Sequence, residues 1–532
     1  MRSEKWGNIF NKEAALLVII LIMACCFRLY YFNGIGMHDD FLYLMLVRKW
    51  IDGHNSLDGI LNHYAGLRLF VYYPIVFLFQ IFGASYRLAF LPTFTLSMLE
   101  VVLAYALCST AFNDKRAGLF AALLMSVFPL DAFVSTTIRG DTEIGFYAML
   151  SVFLFTVSKK YMGGTYRTLL LLSGFAAGIV YNVKKLGLMV MAAYMIISVI
   201  HSAYSRRIRW KYMYVLAGFL LFVAAEGAYL KLETGNILQR YDVGLLLQTH
   251  IYENPNVVDP TQDPWYVPCL LLDIQNGYCD RVVNSLHWTQ KYTRTGGFYL
   301  MVFLSMIYLS HKRDRRYYFM MLWVAVILAY FAFGTMSPQK YLPLHKEPRY
   351  FTIITGPSMI ILAGGLSRFT ENRGHGRARW MIVAVIITAL VYQSAGIMGD
   401  YHRTYTRYNQ FNREIYEFVR ENEKANVWTE AFIEQDLELK SGYSRRSGVK
   451  NFKGDPSKGF IGDLSYYDCR RDNRGAYIIL TRESDFNDIR AKYAGGWRDC
   501  IIANIFNPNR MRLVRRTYSE DKKTWLSIYN IL

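Results

Sequence analysis

The chain has 532 residues, 53% of them hydrophobic and 16% aromatic, with 60 Lys and Arg against 41 Asp and Glu and a formal net charge of +19. This combination points to a membrane protein with basic loops and a soluble part. The basic residues fall in short clusters between apolar runs, where they read as topology determinants, and no stacking platform or recognition motif accompanies them, which excludes nucleic acid as a partner.

A helix needs about 20 apolar residues to cross the bilayer core. The first run, 14–32, follows a short basic segment with Arg2, Lys5 and Lys12 and has no small-x-small site after it, so it reads as a signal anchor. Further spans are expected at 88–112, 117–135, 144–157, 167–183, 186–204, 212–230, 294–310, 317–333, 350–367 and 380–398, about eleven in all. The stretch "LFVYYPIVFLFQIFG" (69–83) is short for a crossing and is expected to lie in the interface. With that assignment "NDKR" (113–116), "SKKYMGGTYR" (158–167), "SRRIRWK" (205–211), "HKRDRR" (311–316) and "RFTENRGHGRAR" (368–379) all fall on the inner side with the N-terminus. The positive-inside rule thereby sets the parity.

This parity puts 33–87, 136–143, 231–293, 334–349 and everything after about 399 on the outer side. Two domains are expected: a mainly α, polytopic membrane helix bundle over 1–399 and an extracytoplasmic α/β domain over 400–532. The tail loses the long apolar runs and carries a helix-like stretch ("QFNREIYEFVRENEK") and strand-like ones ("NVWTE", "AYIILTR"). Cys269 and Cys279 share one outer loop, and Cys469 and Cys500 share the tail, as disulfides in an oxidising compartment would; four separate thiols is the alternative.

At the outer end of the first span stand two adjacent acids, Asp39 and Asp40. They begin an amphipathic helix, Asp39 to Ile51, with Tyr43 one turn on and Arg48 further along. A carboxylate held beside the lipid head groups can take a proton from an alcohol while facing a lipid-borne phosphate.

"HDDFLYLMLVRKWIDG" resembles the D-(D/E)-x-x-Y-x-x-x-x-R segment in the first outer loop of GT-C membrane glycosyltransferases, especially the protein O-mannosyltransferase and aminoarabinose transferase group. "TTIRGDTEIGFYAML" is similar to the group's second-loop acidic motif, which maps to Asp141. "GFAAGIVYNVKKLGLMVMAAY" is similar to its Gly-rich segment, placing Lys184 and Lys185 at the outer face, and "PLHKEPRYFTIITGPSMIILAGGL" resembles the Arg-aromatic start of a late span. The resemblance covers roughly residues 10–400. It implies a GT-C fold and an inverting hexosyl- or pentosyltransferase that takes a polyprenyl-phosphate sugar and transfers it to a lipid, glycan or protein acceptor. It also implies that Asp39 is the catalytic carboxylate, with Asp40 and Asp141 beside it. Asp40 stands where Glu is commoner.

In that reaction the acceptor hydroxyl loses a proton, which Asp39 takes as general base, while cations meet the charge developing on the departing phosphate. Arg349, Lys184 and Lys185 are the candidates, with Arg349 favoured because a guanidinium holds phosphate bidentately. Tyr43, Glu143 and His345 are candidate substrate contacts. Each has a plainer alternative: the lysines snorkel, Arg349 pairs with Glu347, Asp141 caps a helix, and His345 is a loop residue. No cofactor is expected and no metal site is indicated; some GT-C relatives use a divalent cation, while most polyprenyl-monophosphate users need none. A transporter or flippase of lipid-linked glycans is the competing class. It would place ionisable residues near the midplane and show repeated halves, whereas here they sit at span ends and no repeat is seen. A polymerase or ligase of lipid-linked glycans shares the donor chemistry and differs in product.

Overall fold

The structure is a computed structural model, and the residues it describes are 3–34, 39–51, 61, 64–207, 210–243, 267, 271, 295, 297–334, 348–371, 376–422 and five strands between 427 and 531. Helices fill nearly all of the first part: α1 (Ser3–Tyr30), α2 (Asp39–Ile51), α3 (Leu69–Phe82), α4 (Tyr86–Ala106), α5 (Lys115–Val127), α6 (Pro129–Val134), α7 (Asp141–Ser158), α8 (Gly163–Val183), α9 (Gly187–Ser205) and α10 (Lys211–Thr234). After them come α11 (Phe298–His311), α12 (Tyr318–Phe333), a 3-10 turn (Pro348–Phe351), α13 (Thr352–Glu371) and α14 (Gly376–Glu421). The chain divides into two compact units. One comprises 1–33, 56–73 and 91–402; the other comprises 34–55, 74–90 and 403–532.

In the first unit α13 is the central helix. Every residue from Thr352 to Ser367 is buried, as expected of a helix apolar on all sides, and it packs against α5, α7, α11 and α12. The seam between α8 and α10 is set by two glycines. A Cβ on Gly174 would lie 1.8 Å from the Val215 carbonyl oxygen, and one on Gly218 would lie 2.0 Å from that of Leu171. Small residues let the two backbones meet, which is how helices associate where no water drives them together.

Among the described residues, seven of the eleven expected spans are helices long and apolar enough to cross a membrane: Lys12–Tyr30, Arg87–Ala111, Gly163–Val183, Gly187–Ser205, Lys211–Thr234, Arg349–Glu371 and Gly376–Arg403. The other four form helices that are shorter or carry acids in the first turn. The expected run 117–135 is two helices: Phe128, ahead of a proline, is pushed to extended backbone (ψ 121°), and Pro129 opens α6 as its first residue. The interfacial stretch forms the 14-residue α3.

The break at Pro129 serves a buried network that sequence reasoning did not anticipate. Arg28 of α1 pairs with Asp131 of α6, donates to the Ser97 hydroxyl at 2.8 Å and to the Ser126 carbonyl at 2.9 Å, and Ser97 donates to Asp131 at 2.9 Å. An intramembrane arginine is tolerated when its donors are met in this way, and here it ties α1, α4, α5 and α6 together.

In the second unit, α2 buries Asp40, Tyr43, Leu44, Leu46 and Val47, a helical stripe, and leaves Lys49 exposed. The described strands β1 (Val427–Thr429), β2 (Ile461–Asp463), β3 (Tyr477–Thr481), β4 (Met511–Tyr518) and β5 (Trp525–Ile531) form one mixed sheet in the order β2-β1-β3-β5-β4. β1 runs parallel to β2 and β3; β5 runs antiparallel to β3 and β4. β1 and β3 are the two strand-like stretches of the tail, whereas β2, β4 and β5 were not expected. The anticipated boundary at 399/400 falls inside α14, a single helix of 46 residues. A change from apolar to polar composition ends a membrane span but not a helix.

Candidate active site

The site is built at one end of the first unit, where α7 starts, α8 ends and α13 starts. After α6 the chain turns through Ser135–Gly140. Gly140 adopts φ +76°, and a Cβ there would meet Val183 and Val71 at 3.0 Å each. The positive φ favours glycine, and the close valines add to the cost of any side chain there. The turn delivers Asp141 and Glu143 into the first turn of α7, where the helix dipole favours negative charge. Gly140, not Asp141, is the N-cap, so the capping alternative for Asp141 does not hold.

Asp141 is buried, and Lys184, the C-cap residue of α8, forms an ion pair with its Oδ1. The Arg349 Nε lies 3.9 Å from Asp141 Oδ2, and the Lys184 ammonium stands 4.8 Å from the centre of the Tyr350 ring. Three separate stretches of sequence thus converge on one carboxylate. Burial pushes the Lys184 amine down to about 8; Asp141 opposes this, while the nearby cations Arg349 and Arg68 add to it. Glu143 is buried beside them, and neither of its carboxyl oxygens has a hydrogen-bond partner among the described residues.

The expected residues separate clearly. Asp141, Lys184 and Arg349 come together. Lys185 is exposed and senses Arg240 rather than Asp141; burial of its stem and that arginine both lower its proton affinity. Asp39 opens α2, although its side chain lies outside the described residues, and Asp40 and Tyr43 are buried. His345, Glu347 and the four outer cysteines lie outside the described residues. Cys25, Cys26 and Cys108 are free thiols, and no cluster of three or more metal-ligating side chains occurs among the described residues.

Sequence reasoning missed Arg68 and the device that holds it. The Asn182 amide donates to Glu226 at 2.6 Å and to the Leu67 carbonyl at 3.2 Å, and it accepts the Phe70 N–H at 3.3 Å. Arg240 pairs with Glu226 and donates to the same Leu67 carbonyl. Leu61 and Leu67 pack with Leu230 and Val243 behind this network. The chain at Arg68 is thereby fixed against α8 and α10, where its charge acts on Lys184. Its only sequence signal is a lone arginine immediately before the apolar α3.

Residues 69–227, which hold Asp141, Glu143, Lys184 and Lys185, match the dolichyl-phosphate-mannose-protein mannosyltransferase family. No curated protein matches the sequence. The fold is similar to that of ArnT from Cupriavidus metallidurans in the apo state, at 11% identity with a TM-score of 0.55, covering 97% of this chain and 98% of that one. It is similar to the same protein bound to undecaprenyl phosphate at 11% identity with a TM-score of 0.57, covering 99% and 98%. The Archaeoglobus fulgidus oligosaccharyltransferase in complex with Zn and sulfate shares 13% identity with a TM-score of 0.52, covering 90% of this chain and 69% of that one. Nearly the whole of this integral membrane protein thus carries the GT-C fold of these structures, with the segment that matches the mannosyltransferase family inside it.

Proposed function

We propose that the protein transfers one sugar from a polyprenyl-phosphate donor to an acceptor hydroxyl on the outer face of the membrane, with inversion at the anomeric carbon. The observation that carries this reading is the convergence of Lys184 and Arg349 on the buried Asp141 at the ends of three helices. Cations fixed by a buried carboxylate are preorganised for a phosphate, because their geometry is set before the ligand arrives. The structure of ArnT from Cupriavidus metallidurans bound to undecaprenyl phosphate supports a polyprenyl-phosphate donor.

In the reaction the acceptor oxygen attacks the anomeric carbon, the bond from that carbon to the phosphate oxygen breaks, and its electron pair leaves with the phosphate. Asp39 takes the acceptor proton. Arg349 and Lys184 meet the charge that grows on the phosphate. Asp141 positions both, Glu143 and Tyr43 line the sugar or acceptor, and Asp40 supports Asp39. The acceptor is a lipid, glycan or protein. The departing monophosphate is met by side-chain cations, so the reaction runs without a cofactor and chelators leave transfer unchanged.

The test is Asp39→Asn at matched expression and donor binding. The amide is nearly isosteric, and general-base assistance is worth about 10²–10⁴-fold, so transfer falls by at least about 10²-fold. Transfer within about threefold of wild type would move the base elsewhere. The sidedness has its own test: protease added to intact cells cleaves the 400–532 tail, and a tail protected until the membrane is opened would reverse it.

A further inference from the structure

At the opposite end of α13 from the Asp141 site, about 30 Å away along a 20-residue helix, lies a charged cavity of about 450 Å³. Tyr308, Lys312, Arg313, Arg315, Arg316 and Arg368 line it, with Asp314 and Glu371. The loop carrying four of the five cations is "HKRDRR", the connection between α11 and α12.

Topology alone asks only for positive charge at the inner end of a span. What is present is more organised. Asp314 is buried and holds two arginines at once, Arg316 and Arg368, each at 2.7 Å, and burial of its carboxyl is outweighed by these bonds, which hold it at about 2. Arg316 also donates to the Phe112 carbonyl at 3.2 Å. Behind it, Asp114 caps α5 through the Ala117 N–H at 2.9 Å and accepts from Ser367 of α13 at 3.1 Å. Arg316 is therefore tied to the segment before α5, and Arg368 ties α13 to the loop between α11 and α12. Lys312, Arg313 and Arg315 are exposed and have no carboxylate partner among the described residues, and the Lys312 ammonium sits 5.8 Å from the centre of the Tyr308 ring.

We propose that this cavity binds a phosphate group, specifically the headgroup of an anionic phospholipid in the leaflet opposite the Asp141 site. Five cations against two carboxylates leave the site positive, its size falls within the usual range for ligand pockets of about 300–1,000 Å³, and basic pockets between transmembrane helices bind anionic headgroups. Tyr308, on the last turns of α11, supplies an amphipathic ring at headgroup level. An inner-leaflet lipid seated here clamps α11, α12 and α13 together at the end remote from the Asp141 site.

The experiment uses the full chain, delipidated in detergent and then titrated with phosphatidylglycerol, with phosphatidylcholine, or with inorganic phosphate, bound lipid being counted by native mass spectrometry. Wild type retains phosphatidylglycerol in preference to phosphatidylcholine, and millimolar inorganic phosphate does not displace it. Lys312→Gln/Arg313→Gln/Arg315→Gln weakens phosphatidylglycerol retention by at least about tenfold, since each basic residue near an anionic lipid contributes separately. Arg313→Gln alone, which keeps four of the five cations and hence the topology signal, weakens it by about threefold. Equal retention of the two lipids, or unchanged retention in both variants, overturns the proposal. Displacement by inorganic phosphate assigns the site to a soluble phosphate and overturns the lipid.

Discussion

Asp141→Asn removes one charge from an enclosed ion cluster while leaving its shape nearly unchanged. The Asp141 side chain is fully buried, that of Lys184 is 6% exposed and that of Arg349 16%. Two unit charges at the 3.9 Å separating Arg349 from Asp141 attract by about 4 kcal/mol at an effective dielectric of about 20, and Lys184 lies closer still. Desolvation of each ion offsets this by several kcal/mol, so the intact cluster is close to balance. Removing the carboxylate leaves two cations with the cost and without the offset, a loss of about 3–5 kcal/mol. Lys184→Met costs less, because Arg349 still faces Asp141. The double variant is then more stable than the two losses added together, with a coupling of about 1–3 kcal/mol. Apparent unfolding midpoints in one detergent, followed by tryptophan fluorescence for wild type, both single variants and the double variant, measure it. Losses that add to within about 0.5 kcal/mol would show that Asp141 and Lys184 do not act as a pair.

The Lys184 amine, depressed to about 8 from its ordinary 10.5, makes the folded chain hold fewer protons than the unfolded one between those values. Stability from this residue therefore rises with pH across that window, while transfer, which uses the cation, falls as pH passes about 8; a kcat/KM profile flat to pH 9.5 would remove Lys184 from the reaction. Arg349→Lys keeps the charge but loses the bidentate geometry, so turnover falls at least about tenfold, and normal rate and donor affinity in that variant would take Arg349 out of the site. Gly140→Ala strains a φ of +76° and presses on Val71 and Val183, lowering stability by about 1–2 kcal/mol and transfer with it; wild-type transfer would show that this turn does not position Asp141. Gly174→Ala drives a methyl into the Val215 carbonyl, so folded yield and unfolding midpoint both fall, by about 3 kcal/mol in stability. An unshifted midpoint would mean that the seam between α8 and α10 opens freely.

The sequence by itself determined that this is a membrane-embedded helical protein, because apolar runs of span length and basic clusters between them are local properties of the chain. It also pointed to Asp141, Lys184 and Arg349 separately, through motif order. Helix α2 was legible for the same reason, since a stripe at helical spacing needs no knowledge of its surroundings. Tertiary structure alone decided which of two adjacent lysines meets the carboxylate. Lys184 follows the last turn of α8 and turns inward, and Lys185, one residue on, is exposed. It alone decided that 117–135 is broken at Pro129 so that Asp131 can meet Arg28, because a buried arginine is acceptable only once partners distant in sequence enclose it. Arg68 was illegible because nothing local marks it. Its place is set by Asn182, Glu226 and Arg240, which are more than 110 residues further along the chain and reach it through the carbonyl of its neighbour Leu67.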